Sequence, residues 1–168
     1  MFPRHLSTPA ERAAYRQRCQ DGPCFICELI AGSPAQREHI VYQDDVAIAF
    51  LNKYPSLYGY TLVAPRAHRE QVTGDFAVEE YLALQRVIYR VGEALRRVVP
   101  CERLYLLSLG SQQGNRHVHW HLAPLPPGVP YDEQQMEALM LARGILEIPE
   151  EEMAGLARRI REEMRADR

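Results

Sequence analysis

The chain of 168 residues lacks any apolar run of the roughly 18 residues that a helix needs to span a bilayer. Its first residues, MFPRHLSTPAERAAY, lack the apolar core of a signal peptide. The formal net charge is only −2, which gives no general field for nucleic acid or an anionic membrane. We therefore expect a soluble, cytoplasmic protein whose partners include neither a membrane nor a specific nucleic acid.

Cysteine is scarce as well, and the chain shows no internal repeat and no low-complexity tract. The four cysteines are Cys19, Cys24, Cys27 and Cys101, and a disulfide framework is not expected in a reducing compartment. The composition, 46% hydrophobic and 25% charged residues, is that of an ordinary globular protein and is sufficient for a hydrophobic core. The length suits one domain.

Apolar periodicity predicts both helices and strands. A cap, a first-turn proline and an acid predict a helix over residues 8–20, and apolar spacings of 3 and 4 predict a long helix over 76–98, with Asp75 as its cap. Two more helices are predicted, over residues 132–143 and 149–164, and the second carries Met153, Leu156 and Ile160 on one face. Five strands, near residues 40, 48, 62, 105 and 119, complete the order α-β-β-β-α-β-β-α-α. This order favours an α+β domain with an antiparallel sheet.

The stretch NRHVHWHLAP, residues 115–124, places three histidines at alternate positions. Side chains in a strand alternate between faces, so His117, His119 and His121 would share one face, opposite an apolar face that begins at Val118. The alternatives are a polar face in water and a purely structural metal site. Chemistry is the third possibility, because neutral histidine is well suited to act as a nucleophile or proton carrier near pH 7.

Another short motif, CFIC, places Cys24 and Cys27 at the spacing of a metal knuckle or a redox pair. By itself the pair is a weak signal, and it is equally compatible with an inert buried pair of thiols.

Together these motifs resemble the histidine triad (HIT) superfamily of nucleotide hydrolases and transferases. The resemblance rests on HVHWHLA and on VAIAFLNKYPSLYGYTLVAPRAH, with its Pro-x-x-x-Gly loop and Pro-x-x-His end, and it covers about residues 24–125. It implies a HIT-like fold with a five-stranded antiparallel sheet and a long helix packed on it. We expect one domain over residues 1–168, in which 1–20 and 130–168 are helical extensions.

The resemblance also implies a mechanism. His119 would be the nucleophile that attacks an α-phosphorus and forms a covalent nucleotidyl-imidazole, while a backbone carbonyl of the motif fixes its tautomer. His121 would hydrogen-bond a phosphate or leaving-group oxygen and could act as a general acid. Candidate substrates are nucleoside phosphoramidates, acyl-adenylates, dinucleoside polyphosphates and nucleotide sugars.

The same mapping implies a set of nucleotide contacts: an apolar base pocket, an amide for the ribose hydroxyls and a glycine-rich phosphate loop. For two apolar members, Ile26 and Leu51, ordinary core packing is an equal alternative, and a plain hairpin loop is the alternative for the serines. The implied residues are Phe25, Ile26, Phe50, Leu51, Asn52, Ser108, Ser111, Gln113 and Gly114.

A subset of the family binds structural zinc, and its ligand positions map onto Cys24, Cys27, His68 and His117. Four such ligands make a closed tetrahedral site. Cys19 is an alternative ligand. Family members commonly pair through the long helix and an edge strand, so a homodimer is expected.

One departure from the family pattern is Tyr60, which stands where many relatives carry histidine. Two other functions stay open for the sequence as a whole. The first is a zinc-stabilised nucleotide-binding or partner-binding module with little turnover. The second is a metalloenzyme in which three histidine ligands leave an open coordination position on the metal.

Overall fold

Five helices and seven strands make up the part of the chain that the structure describes. A computed structural model of the protein describes residues 2–109, 115–139 and 144–166. The elements are β1 (Arg4–His5), α1 (Pro9–Asp21), α2 (Phe25–Ile30), β2 (Ile40–Gln43), β3 (Ala47–Leu51), β4 (Thr61–Pro65), α3 (Val78–Val98), β5 (Arg103–Leu107), β6 (Trp120–Leu125), α4 (Gln134–Leu139), β7 (Ile145–Leu146) and α5 (Glu150–Ala166).

The main sheet is antiparallel and has the strand order β2-β3-β4-β6-β5. The predicted α+β class, the five-stranded sheet and the long helix are therefore confirmed. The sequence interpretation missed β1 and β7, which pair with each other, and the short helix α2. Two-residue strands are too short to show a period of two, which explains the omission.

One face of the sheet, called here the α3 face, packs against α3 and α5. The apolar stripe of α3 includes Leu84, Ile88 and Leu95, all almost fully buried. Trp120 anchors the start of β6 on this face, because its ring makes edge contacts with Phe76 and Tyr81. Burying each large apolar side chain contributes roughly 1.5–3 kcal/mol. The predicted inward stripe of α5 also packs here, through Met153, Leu156 and Ile160.

The opposite face, called here the histidine face, carries a second apolar cluster. This cluster includes Ile26 of α2, Phe50 of β3, Leu62 of β4 and Ala138 of α4. The register pairs Leu62 with His121 on the neighbouring strand, so His121 stands on this face. The sheet therefore separates the main core from the face that carries the histidines.

The predicted fifth strand begins later than expected. Residues 117–122 were expected to be extended, but β6 begins at Trp120, and the first two histidines precede it. The register that pairs Val63 with Trp120 would bring Val118 opposite Pro65, which has no N–H to donate. The Val118 N–H instead donates to the Arg69 carbonyl at 2.7 Å.

The predicted start of the long helix also needs correction. Asp75 is not the cap of α3; the N-cap position is Ala77, whose N–H donates to the Glu80 carboxylate at 2.9 Å. The Asp75 carboxylate accepts instead from the N–H groups of Glu70 and Gln71, at 2.7 and 2.9 Å. It thereby closes the turn before the helix rather than the helix itself.

The terminal helices were predicted with close boundaries. Thr8 and Glu11 form the expected capping box of α1, a helix with no buried residue. The helix predicted over 132–143 is described as α4 over Gln134–Leu139, and its last residues lie outside the described ranges. Among the described helices, none combines the length and apolar character needed to cross a bilayer.

Candidate active site and metal cluster

His119 and His121 stand side by side on the histidine face. Their ring centroids lie 4.8 Å apart, with an interplanar angle of 56°. Both rings are partly buried, and the intervening Trp120 points into the α3 face. The predicted alternation of faces thus brings the two imidazoles together, even though His119 precedes the strand.

The chain's own backbone fixes the tautomer of His119. Its Nδ1 lies 2.8 Å from the carbonyl oxygen of His117. A carbonyl only accepts, so Nδ1 carries the hydrogen and Nε2 keeps a free lone pair. Burial lowers the pKa of His119, which favours the neutral ring. Neutral imidazole with a free nitrogen is what a nucleophile requires.

The loop that carries His119 is held from the neighbouring strand. The Ser108 hydroxyl, just after β5, donates to the His119 carbonyl at 2.9 Å. Ser108 was predicted as a phosphate contact, which stays a prediction; in the structure its hydroxyl hydrogen is directed to this backbone carbonyl. The other loop candidates, Ser111, Gln113 and Gly114, lie outside the described residues.

The ring of His121 contacts a tyrosine for which the sequence interpretation had no role. Its Nδ1 lies 3.2 Å from the Tyr60 hydroxyl, with the rings edge to face at 5.8 Å between centroids. Burial, with the adjacent His119, lowers the pKa of His121 to about 3. His121 is therefore neutral near pH 7, and Nε2 is its only nitrogen without a protein partner among the described residues.

A second constellation lies at the start of the histidine run. The ligand atoms of Cys24, Cys27, His68 and His117 all lie within 4.8 Å of one another. The His117 Nδ1 is 3.5 Å from both sulfurs, and the His68 Nδ1 is 3.3 Å from the Cys27 Sγ. The four predicted metal ligands are thus brought together. Cys19, the alternative ligand, is not part of the group.

The knuckle has a local structural cause. Cys24 is the N-cap of α2, and its Sγ accepts from the Cys27 N–H at 3.5 Å. One helical turn therefore brings both sulfurs to the same side. Burial and the neighbouring Cys24 raise the pKa of the Cys27 thiol to about 11, so binding a metal would have to displace its proton.

The imidazoles of this cluster are oriented by contacts at their other nitrogens. The buried His117 donates from Nε2 to the Pro65 carbonyl at 2.8 Å, which leaves Nδ1 as a lone-pair donor. The His68 Nε2 lies 3.3 Å from a Glu70 carboxylate oxygen. Such partners fix the tautomer of metal-binding histidines. Burial lowers the pKa of His117 to about 4.

The predicted base-pocket residues divide between the two faces. Phe25 and Phe50 make an edge contact at 6.0 Å on the histidine face, where Ile26 is fully buried. Leu51 packs on the α3 face instead, as the strand neighbour of Phe50 must. Asn52 follows β3, and its Oδ1 accepts from the Tyr54 N–H at 2.9 Å, so its amide nitrogen is the group left for a ligand.

A comparison with known families shows where this arrangement belongs. The HIT domain family matches residues 33–127, more than half of the chain. The chain belongs to the HIT family. It is 29% identical over 106 residues to an uncharacterized HIT-like protein of Saccharolobus solfataricus, covering 60% of this chain and 73% of that protein. It is 27% identical over 106 residues to the protein hit of Bacillus subtilis, covering 61% and 70%.

Solved HIT structures show the same fold. A hypothetical histidine triad nucleotide-binding protein of Sulfolobus tokodaii has a TM-score of 0.69 at 26% identity, covering 85% of this chain and 93% of that chain. A Zn-bound histidine triad family protein of Mycobacterium smegmatis has a TM-score of 0.64 at 19% identity, covering 85% and 94%. HIT proteins are generally nucleotide-binding hydrolases or transferases, and this chain is one of that family.

Proposed function

We propose that this HIT protein is a nucleotide hydrolase or nucleotidyl transferase in which His119 attacks an α-phosphorus. One observation carries the proposal: the His117 carbonyl accepts from Nδ1 of His119, which leaves Nε2 with a free lone pair, and the His119 ring lies beside that of His121. A phosphorus atom surrounded by oxygens repels anionic nucleophiles, whereas a neutral imidazole brings a lone pair without charge. Covalent catalysis then divides one difficult displacement into two easier ones.

The two displacements would proceed on the same nitrogen. In the first, Nε2 of His119 forms a bond to the α-phosphorus, and the bond from phosphorus to the leaving group breaks; its electron pair goes to the leaving group, which also takes up a proton from solvent where it is an amine. In the second, water or another hydroxyl compound attacks the phosphorus, the P–N bond breaks, and its electron pair returns to Nε2. The proton of the attacking hydroxyl is released to solvent. His121 would donate an N–H to an oxygen of the reacting group.

The nucleotide would lie on the histidine face. We assign the base to the edge-packed Phe25 and Phe50, with Ile26 beneath them, and the ribose hydroxyls to the amide of Asn52. Leu51 is left out of this pocket because it belongs to the core on the other face. The predicted phosphate contacts Ser111, Gln113 and Gly114 lie outside the described ranges and stay predictions.

We propose that the Cys/His cluster holds a structural zinc ion. A tetrahedral zinc with typical bond lengths separates a sulfur and a nitrogen ligand by about 3.5 Å. The observed S···N separations of 3.3–3.5 Å fit that requirement, as do the two thiols and two oriented imidazoles. The Mycobacterium smegmatis relative is Zn-bound, which agrees. Zinc would tie α2 to the end of β4 and to the loop that carries His119.

The cluster also distinguishes between the alternatives left open by the sequence. Among the described residues, the grouped metal-binding side chains include His117 but neither His119 nor His121. This composition favours a structural site over a metalloenzyme with three histidine ligands. It leaves two imidazoles for nucleotide chemistry.

We further propose that the chain forms one domain and assembles as a homodimer. The C-terminal helix α5 packs against α3, β2 and β3, so this extension shares the main core. The edge strand β5 carries the exposed Leu106, and α3 carries the exposed Val78, Leu82 and Tyr89. Light scattering should give the mass of two chains, and the mass of one chain would reject the dimer.

Substrate screening tests the central proposal. The purified protein is incubated with nucleoside phosphoramidates, acyl-adenylates, dinucleoside polyphosphates and nucleotide sugars, and nucleoside monophosphate release is followed by chromatography. We expect turnover that is lost in His119→Ala. Retained turnover in that variant would overturn the proposed nucleophile. Tight binding of nucleoside monophosphate without turnover of any compound would support a binding module instead.

A further inference from the structure

We propose that Tyr60 is a positioning residue that fixes His121 as a neutral N–H donor toward the reacting phosphate. The inference rests on the proposed function and deepens it by adding a residue with no role in the sequence interpretation. Tyr60 lies directly before β4, and its ring is in the apolar cluster of the histidine face.

Two backbone hydrogen bonds fix the position of Tyr60 and thereby the direction of its side chain. Its carbonyl accepts from the Asn52 N–H at 2.8 Å, and its N–H donates to the Leu57 carbonyl at 3.2 Å. The side chain is only 8% exposed. These backbone hydrogen bonds at the start of β4 position the Tyr60 hydroxyl next to Nδ1 of His121, which is 61 residues further along the chain.

The direction of this hydrogen bond follows from what surrounds the hydroxyl. Burial raises the pKa of Tyr60 to about 12, so the hydroxyl keeps its hydrogen near neutral pH. Among the residues that the structure describes, Nδ1 of His121 is the only hydrogen-bond partner of that hydroxyl. A buried hydroxyl hydrogen needs an acceptor, so Tyr60 donates and Nδ1 accepts.

The consequence is a defined tautomer. With Nδ1 accepting, the hydrogen of the neutral His121 ring resides on Nε2. That N–H is available to an anionic oxygen placed beside His119, whose ring centroid is 4.8 Å away. Because His121 is neutral, the group stabilises charge through a hydrogen bond and need not give up its proton.

Nuclear magnetic resonance tests the positioning without any need for turnover. The protein is labelled with ¹⁵N-histidine, and the His121 signals are identified by their loss in His121→Asn. We expect the wild-type His121 to show a protonated Nε2 and a hydrogen-bonded Nδ1. In Tyr60→Phe, the Nδ1 signal should move to that of an unbonded ring nitrogen. An unchanged Nδ1 signal, or a protonated Nδ1 in the wild type, would overturn the inference.

A matched control separates this effect from packing. Tyr105→Phe removes a phenol hydroxyl from the same apolar cluster, where Tyr105 is partly buried on β5. We expect the His121 signals of this variant to match the wild type. Melting temperatures of both variants establish that each is folded. Equal movement of the Nδ1 signal in both variants would overturn a specific role for Tyr60.

Kinetics test the catalytic part of the inference. With an adenosine 5′-phosphoramidate of a fluorescent amine as the probe, Tyr60→Phe should lower kcat about three- to tenfold, the loss expected for one hydrogen bond. KM should stay within about twofold, and Tyr105→Phe should leave both constants unchanged. A kcat for Tyr60→Phe equal to that of the wild type would overturn the catalytic part.

The resonance and kinetic experiments distinguish a failure of the proposed function from a failure of the inference about Tyr60. A wild-type protein that does not turn over the probe, or a His119→Ala variant that still does, would contradict the proposed function. In either case, the resonance experiment still decides whether Tyr60 sets the tautomer of His121.

Discussion

The first two histidines of the run use the same side chain in opposite ways. His117 donates from Nε2 to the Pro65 carbonyl and keeps Nδ1 free, toward two thiols. His119 donates from Nδ1 to the His117 carbonyl and keeps Nε2 free, and its ring lies beside that of His121. The role of each imidazole is thus set by which nitrogen the protein occupies.

The difference shows how one short segment can serve two purposes. His117 belongs to the metal cluster through its ring and to the neighbouring histidine through its carbonyl. Its backbone and side chain therefore connect the proposed zinc site to the proposed nucleophile. Substitutions in the metal cluster and at the pair His119 and His121 should have separable effects, and four experiments test that separation.

The largest effect is expected from His119→Ala. Removing the nucleophile should lower kcat by about four orders of magnitude or more, because the residual chemistry must proceed without the covalent step. Metal content, measured by atomic emission, should not change, because His119 is not in the Cys/His cluster. Loss of metal from this variant would show that the metal cluster depends on the nucleophile.

The reverse effect is expected from Cys27→Ser, which removes a proposed zinc ligand. Metal content should fall to a small fraction of one ion per chain. If free metal is at about 1,000 times its Kd, losing its binding removes about 4 kcal/mol of stability and lowers Tm by about 10 °C. Cys19→Ser is the matched control, because Cys19 lies on the exposed helix α1. An equal Tm for both variants, with and without a chelator, would contradict the zinc site.

A smaller effect is expected in the pH dependence of stability. Burial lowers the pKa of His121 to about 3, so its unfolded form takes up a proton at higher pH than its folded form. The contribution of His121 to stability is therefore complete above about pH 6.5 and is lost as the pH falls toward about 3.

The measurement is urea unfolding between about pH 6.5 and about pH 5. The free energy of unfolding should fall by about 1–2 kcal/mol less in His121→Asn than in the wild type. An identical slope in the two proteins would refute the buried neutral state of His121.

The smallest effect is expected from Ser108→Ala. This change removes one hydrogen bond to the His119 carbonyl and leaves both histidine rings in place. We expect about 1 kcal/mol less stability and a fall in kcat of a fewfold, with metal content unchanged. Ser33→Ala, in the turn after α2, is the control. A larger loss of metal than of turnover would place Ser108 with the cluster instead.

Local patterns predicted much of this molecule because their causes are local. The capping box of Thr8 and Glu11 predicted the start of α1, and apolar spacing predicted the inward face of α3. Alternation predicted that His119 and His121 share a face. The same alternation contradicts one part of the predicted base pocket: Phe50 and Leu51 are consecutive in a strand, so their side chains lie on opposite faces and cannot both line one pocket.

Other features depend on contacts that are distant in the sequence. The start of β6 is set by Pro65, which ends the pairing of the neighbouring strand. The partner of His121 is Tyr60, which is brought to it only by the pairing of β4 with β6. The resemblance to the HIT family located the four proposed ligands, but their separations come from the fold.

The central claim is that His119 carries the nucleotide between the two displacements. The most direct measurement is rapid quenching of the protein with an adenosine 5′-phosphoramidate, followed by digestion and mass spectrometry under conditions that preserve phosphorus–nitrogen bonds. The account predicts an adenylyl group on His119 that is absent from His119→Ala. An adduct on His117 or His121, or turnover through repeated quenches with no adduct on any histidine, would contradict it.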